Sequence, residues 1–347
     1  MKKTSMILIT ILLFLVGCSN SESVSTSNET IKLTTDEEKV YIGFVLDTLE
    51  QERWYKDKEL FEEKVQELGG NVKTLAANGN ADIQLKQAEL LVQEGVDVLV
   101  VVPYNAEASA AIVEMAHKSN TKVISYDRLI KNAEVDYYIS FDNEKVGELQ
   151  ATEITKHVSE GNFAYIGGAE TDNNAILFRN GAMKVLQPLI DKGNITLVYD
   201  KYTDEWDPSI AEKNMKEALQ QTEGNINAVI SANDGNASGV IHALTTENMA
   251  GTVPVSGQDA ELSAIRRIIQ GTQTMTVYKP INLLAINAAE TAVKVANNEA
   301  IQTNSKVGNG SIEVPSILLN PIAVTKENID DTIIKDGYLT VEEVYGE

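Results

Sequence analysis

VDVLVVVPYNAEASAAIVEMAHKSNTKVISYDR, residues 96–128, begins as an uninterrupted apolar run, turns through small and polar residues, takes helical spacing over Ala108 to Lys118 and closes on a second apolar run. A continuous apolar run bounded by turn signals reads as a strand buried on both faces. Two such runs joined by a helix form a parallel crossover unit. The same rhythm extends upstream, where YIGFVLD (41–47) precedes a helix across Lys58 to Leu68, and VKTLAA (72–77) precedes one across Gln84 to Glu94. Downstream, YYISFD (137–142) leads into a helix beginning near Val146, and the pattern restarts with FAYIGG, ITLVYD, AVISAN, VPVSG and TMTVY.

This order predicts an α/β fold of two Rossmann-like, doubly wound parallel-sheet lobes joined by three hinge crossovers, near Phe141, Lys279 and Ser316. The expected division is 39–141 plus 281–315 for the first lobe and 142–280 plus 316–347 for the second. Pro280 suits the first turn of a helix over 281–297, because its missing N–H has no partner there in any case. The two prolines in residues 314–339 mark return crossings and edge strands, not a third domain.

At the start of the chain, Lys2 and Lys3 precede the apolar stretch MILITILLFLV, which ends in Leu15-Val16-Gly17-Cys18. The stretch is short for a permanent span, and a charged start, apolar centre and small-residue exit are the marks of a secretory signal. Residues 1–17 are therefore expected to be a lipoprotein signal peptide, with Cys18, the single cysteine, as the lipid attachment point. Residues 18–38, rich in Ser, Thr, Asn and acids, read as a flexible tether. The protein is then expected on the extracytoplasmic face of the membrane. With 29 Lys+Arg against 51 Asp+Glu the net charge is −22, which repels phosphate polymers and excludes nucleic acid as a partner. A single cysteine also rules out disulfides within the chain.

Five of the apolar runs stop on polar residues: VISYDR at Asp127 and Arg128, FAYIGGAETDNN at Asp172 to Asn174, AVISAND at Asn233 and Asp234, VPVSGQD at Asp259 and MTVYK at Lys279. In an open parallel sheet the carboxyl ends of the strands face one crevice, so groups placed there converge on a shared ligand, here a neutral polyol. Taken singly, each has a plainer reading: an ion pair between Asp127 and Arg128, helix caps at Asp172 and Asp259, an Asx turn at Asn233 and Asp234, and an exposed hinge residue at Lys279.

Trp54, preceded by Arg53, and Trp206 are the two tryptophans, each placed after a strand. A sugar ring offers C–H faces to an indole and an equator of hydroxyls to Asp, Asn, Arg and Lys. The inventory for catalysis is thin. His117, His157 and His242 are scattered on helices, HExxH, GxSxG and the nucleotide-binding loops are missing, and Gly167-Gly168 alone does not make a phosphate site. A hydrolytic pair of Asp172 and Asp259 remains a rival reading. No cofactor or metal is expected.

QERWYKD, ANGN, VVPYNAE, YDRLI, DYYISFDNEKVGELQA, LFRNGAMKVL, SAND, SGQDAEL and GTQTMTVYKP together resemble the D-xylose-binding branch of the ribose/galactose-type periplasmic-binding family of bacterial ABC importers, from Val40 to the last helix. The resemblance implies that Arg53, Arg128, Asp172, Asn174, Asn233, Asp259 and Lys279, with Asp127 beside them, hydrogen-bond a monosaccharide, and that Trp54 and Trp206 flank it. It implies an ABC permease as partner, or, in related sensory proteins, a membrane histidine kinase. It departs from many family members in its lipid-attachment sequence. A cytoplasmic sugar-responsive repressor shares the lobe pair, but the basic helix-turn-helix that it requires is missing.

Overall fold

The computed structural model describes Lys32, residues 38–50 and residues 52–346; the signal peptide and Cys18 lie outside the described residues. Among the described residues no helix is long and apolar enough to cross a membrane.

The strands, in chain order, are β1 (Tyr41–Leu46), β2 (Asn71–Ala76), β3 (Val98–Val101), β4 (Lys122–Tyr126), β5 (Tyr137–Phe141), β6 (Gly161–Ile166), β7 (Ile195–Lys201), β8 (Ala228–Ser231), β9 (Thr276–Tyr278), β10 (Ser305–Gly308), β11 (Glu313–Leu319) and β12 (Ile322–Val324). The first lobe is a seven-stranded sheet in the order β10-β11-β5-β4-β3-β1-β2, parallel except for β10. Its central strands β1, β3, β4 and β5 are buried on both faces, and the period of two is visible in β1. Ile42, Phe44 and Leu46 enter one core, shared with helices Glu52–Glu67 and Ile281–Ala296. Tyr41 and Val45 enter the other, with helices Ala81–Gln93 and Ala110–Lys118. Each fully buried Phe, Leu or Ile contributes on the order of 1.5–3 kcal/mol, which explains how the fold stands without disulfides.

The second lobe builds on β7-β6-β8. Residues 253–259 continue this sheet: Val229 bridges Val255 in parallel, and Val277 N donates to Gly257 O at 3.1 Å, so β9 and its antiparallel partner β12 follow on. The VPVSG run is therefore extended, as its composition suggests, but side chains replace part of the ladder. Ser256 Oγ donates to Ser231 O and accepts from Ser231 N, both at 3.0 Å. Buried Gln150 Nε2 serves the carbonyls of Ser231, Ala232 and Gly257.

Three boundaries differ from expectation. The first helix starts at Glu52, so Arg53 and Trp54 lie in its opening turn and not in a loop. The helix expected near Val146 opens at Asn143, because Asp142 caps it by accepting from Lys145 N at 3.0 Å. The third connection between the sheets falls after Leu319 and not near Ser316: Ser316–Leu319 pairs with β5 inside the first sheet, with β10 as the edge. A run that pairs on both sides stays in the sheet until Pro321, where the ladder loses a donor.

Candidate functional site

The candidate lining residues follow the carboxyl ends of strands, Arg53 and Trp54 in the first turn of the helix after β1. Asp127 and Arg128 follow β4, Asp172 and Asn174 open the helix Asn173–Asp191 after β6, and Trp206 lies in a turn after β7. Asn233 caps the helix Asp234–Thr246 after β8, Asp259 ends the segment beside β9, and Lys279 follows β9. Arg53, Trp54, Asp127, Arg128, Asp172, Asn174, Trp206, Asn233, Asp259 and Lys279 all line one cavity, together with Phe178 and Gln258.

Charges in the cavity are paired across long stretches of sequence. Arg53 meets Asp127 at 3.0 Å, Asp259 at 3.3 Å and its own helix neighbour Asp57 at 3.3 Å. Lys279 lies 3.2 Å from Asp259 and 3.8 Å from Asp127. Arg128 pairs with Asp47, which follows β1, and at 2.7 Å with Asp172. The local Asp127–Arg128 pair that the sequence allowed does not form, because each side chain has partners on other elements. Nor is Lys279 exposed; it is buried.

Capping and lining prove compatible. Asp172 Oδ1 caps its helix by accepting from Asn174 N at 2.9 Å, while Oδ2 faces Arg128. Asn233 Oδ1 accepts from Asn236 N at 2.8 Å. Asp259 is not a cap: the next helix, Leu262–Gln270, has Glu261 at that position, and Asp259 turns its oxygens to Arg53, Lys279 and Gln258. Buried Asp234 is structural, accepting from Glu261 N, Gln273 and Thr276.

Three lining residues carry backbone strain. Asp127 (φ 61°), Trp206 (φ 58°) and Asp259 (φ 96°) are non-glycine residues in left-handed space, a cost of about 1–3 kcal/mol each that the surroundings must offset. At Asp127 they do so densely: its N–H donates to Ile139 O, and its carbonyl accepts from Tyr138, Ser140 and Asn174. At Asp259, N–H donates to Val277 O at 2.9 Å and the carbonyl accepts from Tyr338 at 3.3 Å.

The aromatic walls depend on glycines. Arg53 lies 4.3 Å over the Trp54 ring, and Trp206 meets Phe178 edge-on at 6.2 Å. A Cβ on Gly168 would come within 2.0 Å of the Trp206 ring, so Gly168 at the strand end serves close approach of an indole. Phe178 is set by a similar contact: a Cβ on Gly147 would lie 1.8 Å from Phe178 O, so only glycine lets the two helices cross this closely. Gly168→Ala is accordingly expected to push Trp206 toward solvent and shift tryptophan emission to the red; an unchanged spectrum would contradict this packing.

Sequence reasoning missed Asp47, Asp57, Phe178 and Gln258. Asp47 ends a strand run and fell under the rule already in use. Asp57 and Phe178 stand four residues after Arg53 and Asn174 on their helices, a spacing that places them on the same face. Of the histidines, His157 and His242 are exposed and His117 is half-buried, 2.8 Å from Asp136 and away from the cavity lining.

Two parallel-sheet lobes with one small, charged and aromatic cavity lined from both define a two-lobed binding protein. Residues 42–300 match the periplasmic binding protein domain, and the chain belongs to this family. It is 46% identical over 334 residues to the D-xylose-binding periplasmic protein of Haemophilus influenzae, covering 96% of this chain and 98% of the relative. Its identity to the D-xylose-binding periplasmic protein of Escherichia coli is 49% over 300 residues, covering 86% and 91%. Among solved structures, a carbohydrate transporter solute-binding protein from Chloroflexus aurantiacus, in complex with D-glucose, superposes with a TM-score of 0.82 at 31% identity, covering 88% of this chain and 98% of that one.

Proposed function

We propose that this protein is an extracytoplasmic receptor, lipid-anchored through Cys18, that binds D-xylose between its lobes and delivers it to an ABC permease. The observation that carries the reading is the convergence of ten side chains from both lobes on a single cavity. Carboxylates and Asn233 accept hydroxyl protons, Arg53, Arg128 and Lys279 donate, and the indoles cover ring C–H faces. The two relatives named for D-xylose support the choice of sugar.

Arg128–Asp172 and Arg53–Asp259 join residues of the two lobes, as does Ala106 N donating to Thr171 O at 3.0 Å. A sugar touching both sides favours this arrangement over a separated one by the difference in contacts, and closure presents a surface made by both lobes to the permease. Binding without turnover fits the site. Asp172 and Asp259 are both held by cations, an arrangement that suits binding and not a glycosidase acid and nucleophile.

Calorimetric titration of the purified protein with D-xylose, D-glucose, D-ribose and L-arabinose tests the reading. Xylose should bind most tightly; tighter binding of glucose would reassign the ligand, and release of xylose from xylosides would make the protein an enzyme. Labelled palmitate entering the wild type but not Cys18→Ser tests the anchor.

Affinity should fall in acid. Burial lifts the carboxyls of Asp47, Asp57 and Asp172 above the ordinary 3.8, against the pull of Arg128 and Arg53. For Asp127 burial acts in the same upward sense, but the charges of Arg53, Lys279 and Arg128 outweigh it and hold the group at about 2. As pH falls, Asp47, Asp57 and Asp172 therefore protonate before an ordinary carboxylate would, and Asp127 last. Stability responds with both signs: the raised groups favour the folded state on acidification, while the contribution of Asp127 is present above about 3.9 and lost toward about 2. Xylose affinity should decline as pH falls, from a point above 3.8, since protonated Asp172 no longer balances Arg128. Tighter binding in acid would contradict this assignment.

A further inference from the structure

Gln258 is 2% exposed and lines the same cavity as Trp206, Asn233 and Asp259. Its backbone is pinned: its carbonyl accepts from Asp234 N at 2.9 Å, and Gly257 and Asp259 on either side bond to Val277. A Cβ on Gly257 would lie 1.9 Å from Asp234 Oδ1, so the segment cannot shift toward that side either. The amide Nε2 donates to Asp259 Oδ2 at 2.9 Å, while Oε1 is buried with no hydrogen-bond partner among the described residues. A buried amide oxygen left in that state is unfavourable, and a cavity-lining one can be relieved by a donor on the ligand.

We propose that Gln258 is a further sugar-binding residue whose Oε1 accepts the proton of the hydroxyl adjacent to the one held by Asp259. The inference rests on the monosaccharide reading and extends it. Oε1 can only accept, and so can the Asp259 carboxylate, so two neighbouring residues offer two fixed acceptors. Such a pair fits two donating hydroxyls on adjacent ring carbons and senses their relative configuration. The bonds reinforce one another: a hydroxyl donating to Oε1 polarises the amide, whose N–H already donates to Asp259. Gln258 thereby also positions Asp259, whose other oxygen serves Arg53 and Lys279.

The test is a calorimetric cycle with D-xylose and its 2-, 3- and 4-deoxy analogues on the wild type, Gln258→Met and Gln258→Glu. Gln258→Met keeps length and apolar volume and should weaken xylose about ten-fold, the loss of one neutral hydrogen bond in a closed site. One deoxy analogue should bind wild type and Gln258→Met alike, because the partner hydroxyl is already gone, while the others keep the ten-fold loss. Gln258→Glu retains the acceptor but sets a second carboxylate against Asp259, so it should bind worse than Gln258→Met at neutral pH and recover as pH falls. Unchanged xylose affinity in Gln258→Met, or an equal loss for all analogues, overturns the inference. Should Gln258→Met fail to fold, the same cycle on Gln258→Asn, which keeps the amide but retracts it, decides the matter. If Asp259→Ala loses xylose while Gln258→Met does not, only this inference falls; if the wild type binds no monosaccharide, the functional reading falls with it.

Discussion

Replacing Arg128 with methionine is expected to lower the unfolding free energy by about 3–5 kcal/mol, because it leaves two buried carboxylates, Asp47 and Asp172, without their cation. Both already sit above the ordinary carboxyl range through burial, and removing Arg128 takes away the charge that opposes that shift. The variant should therefore regain stability as pH falls, since the folded form then takes up protons more readily than the unfolded chain. Urea denaturation at about pH 8 and about pH 5 measures both effects. A loss under about 1 kcal/mol, or a variant that weakens in acid, would mean that the pairs contribute little in this environment. Xylose binding should be lost as well, because Arg128 joins Asp47 of one lobe to Asp172 of the other.

Asp259→Ala should leave the fold nearly intact and weaken xylose by at least about 100-fold, equivalent to about 2.7 kcal/mol. Arg53 and Lys279 retain Asp127, and Arg53 also keeps Asp57, so neither cation is stranded. The variant loses a carboxylate proposed to accept from ligand hydroxyls, worth about 1.5–3 kcal/mol per charged hydrogen bond, and the Arg53–Asp259 contact across the cavity. Calorimetry together with a melting curve separates this outcome from unfolding. Wild-type affinity in Asp259→Ala would remove the residue from the proposed ligand shell.

The fold was readable because its signal is local. Apolar runs such as VDVLVVV and VISYD can be buried on both faces only in a parallel sheet covered by helices, and the intervening helical spacing supplies the covers. Where the ladder depends on side chains it was less clear. Residues 253–259 belong to the second sheet only through Ser256, Gln150 and bonds to β9, none of which has a periodic signature. The cavity lining was legible to the extent that residues end strands, and Asp127, Asp172, Asn233, Asp259 and Lys279 do. Phe178 shares a helix face with Asn174 by spacing, but that this face meets the cavity depends on how Gly147 lets two helices cross.

The amino-acid sequence alone determined the alternation of strand and helix, and with it the edge of each sheet at which polar residues gather. Right-handed crossovers bring the carboxyl ends of parallel strands to one side, whatever the side chains there go on to do. Only the tertiary structure decided that Arg53 reaches Asp259, 206 positions away, that Arg128 ignores its neighbour Asp127 for Asp47 and Asp172, and that Asp127, Trp206 and Asp259 hold left-handed backbones. Those choices follow from which loops meet across the cavity and which charges are buried together, and short-range spacing carries no record of either.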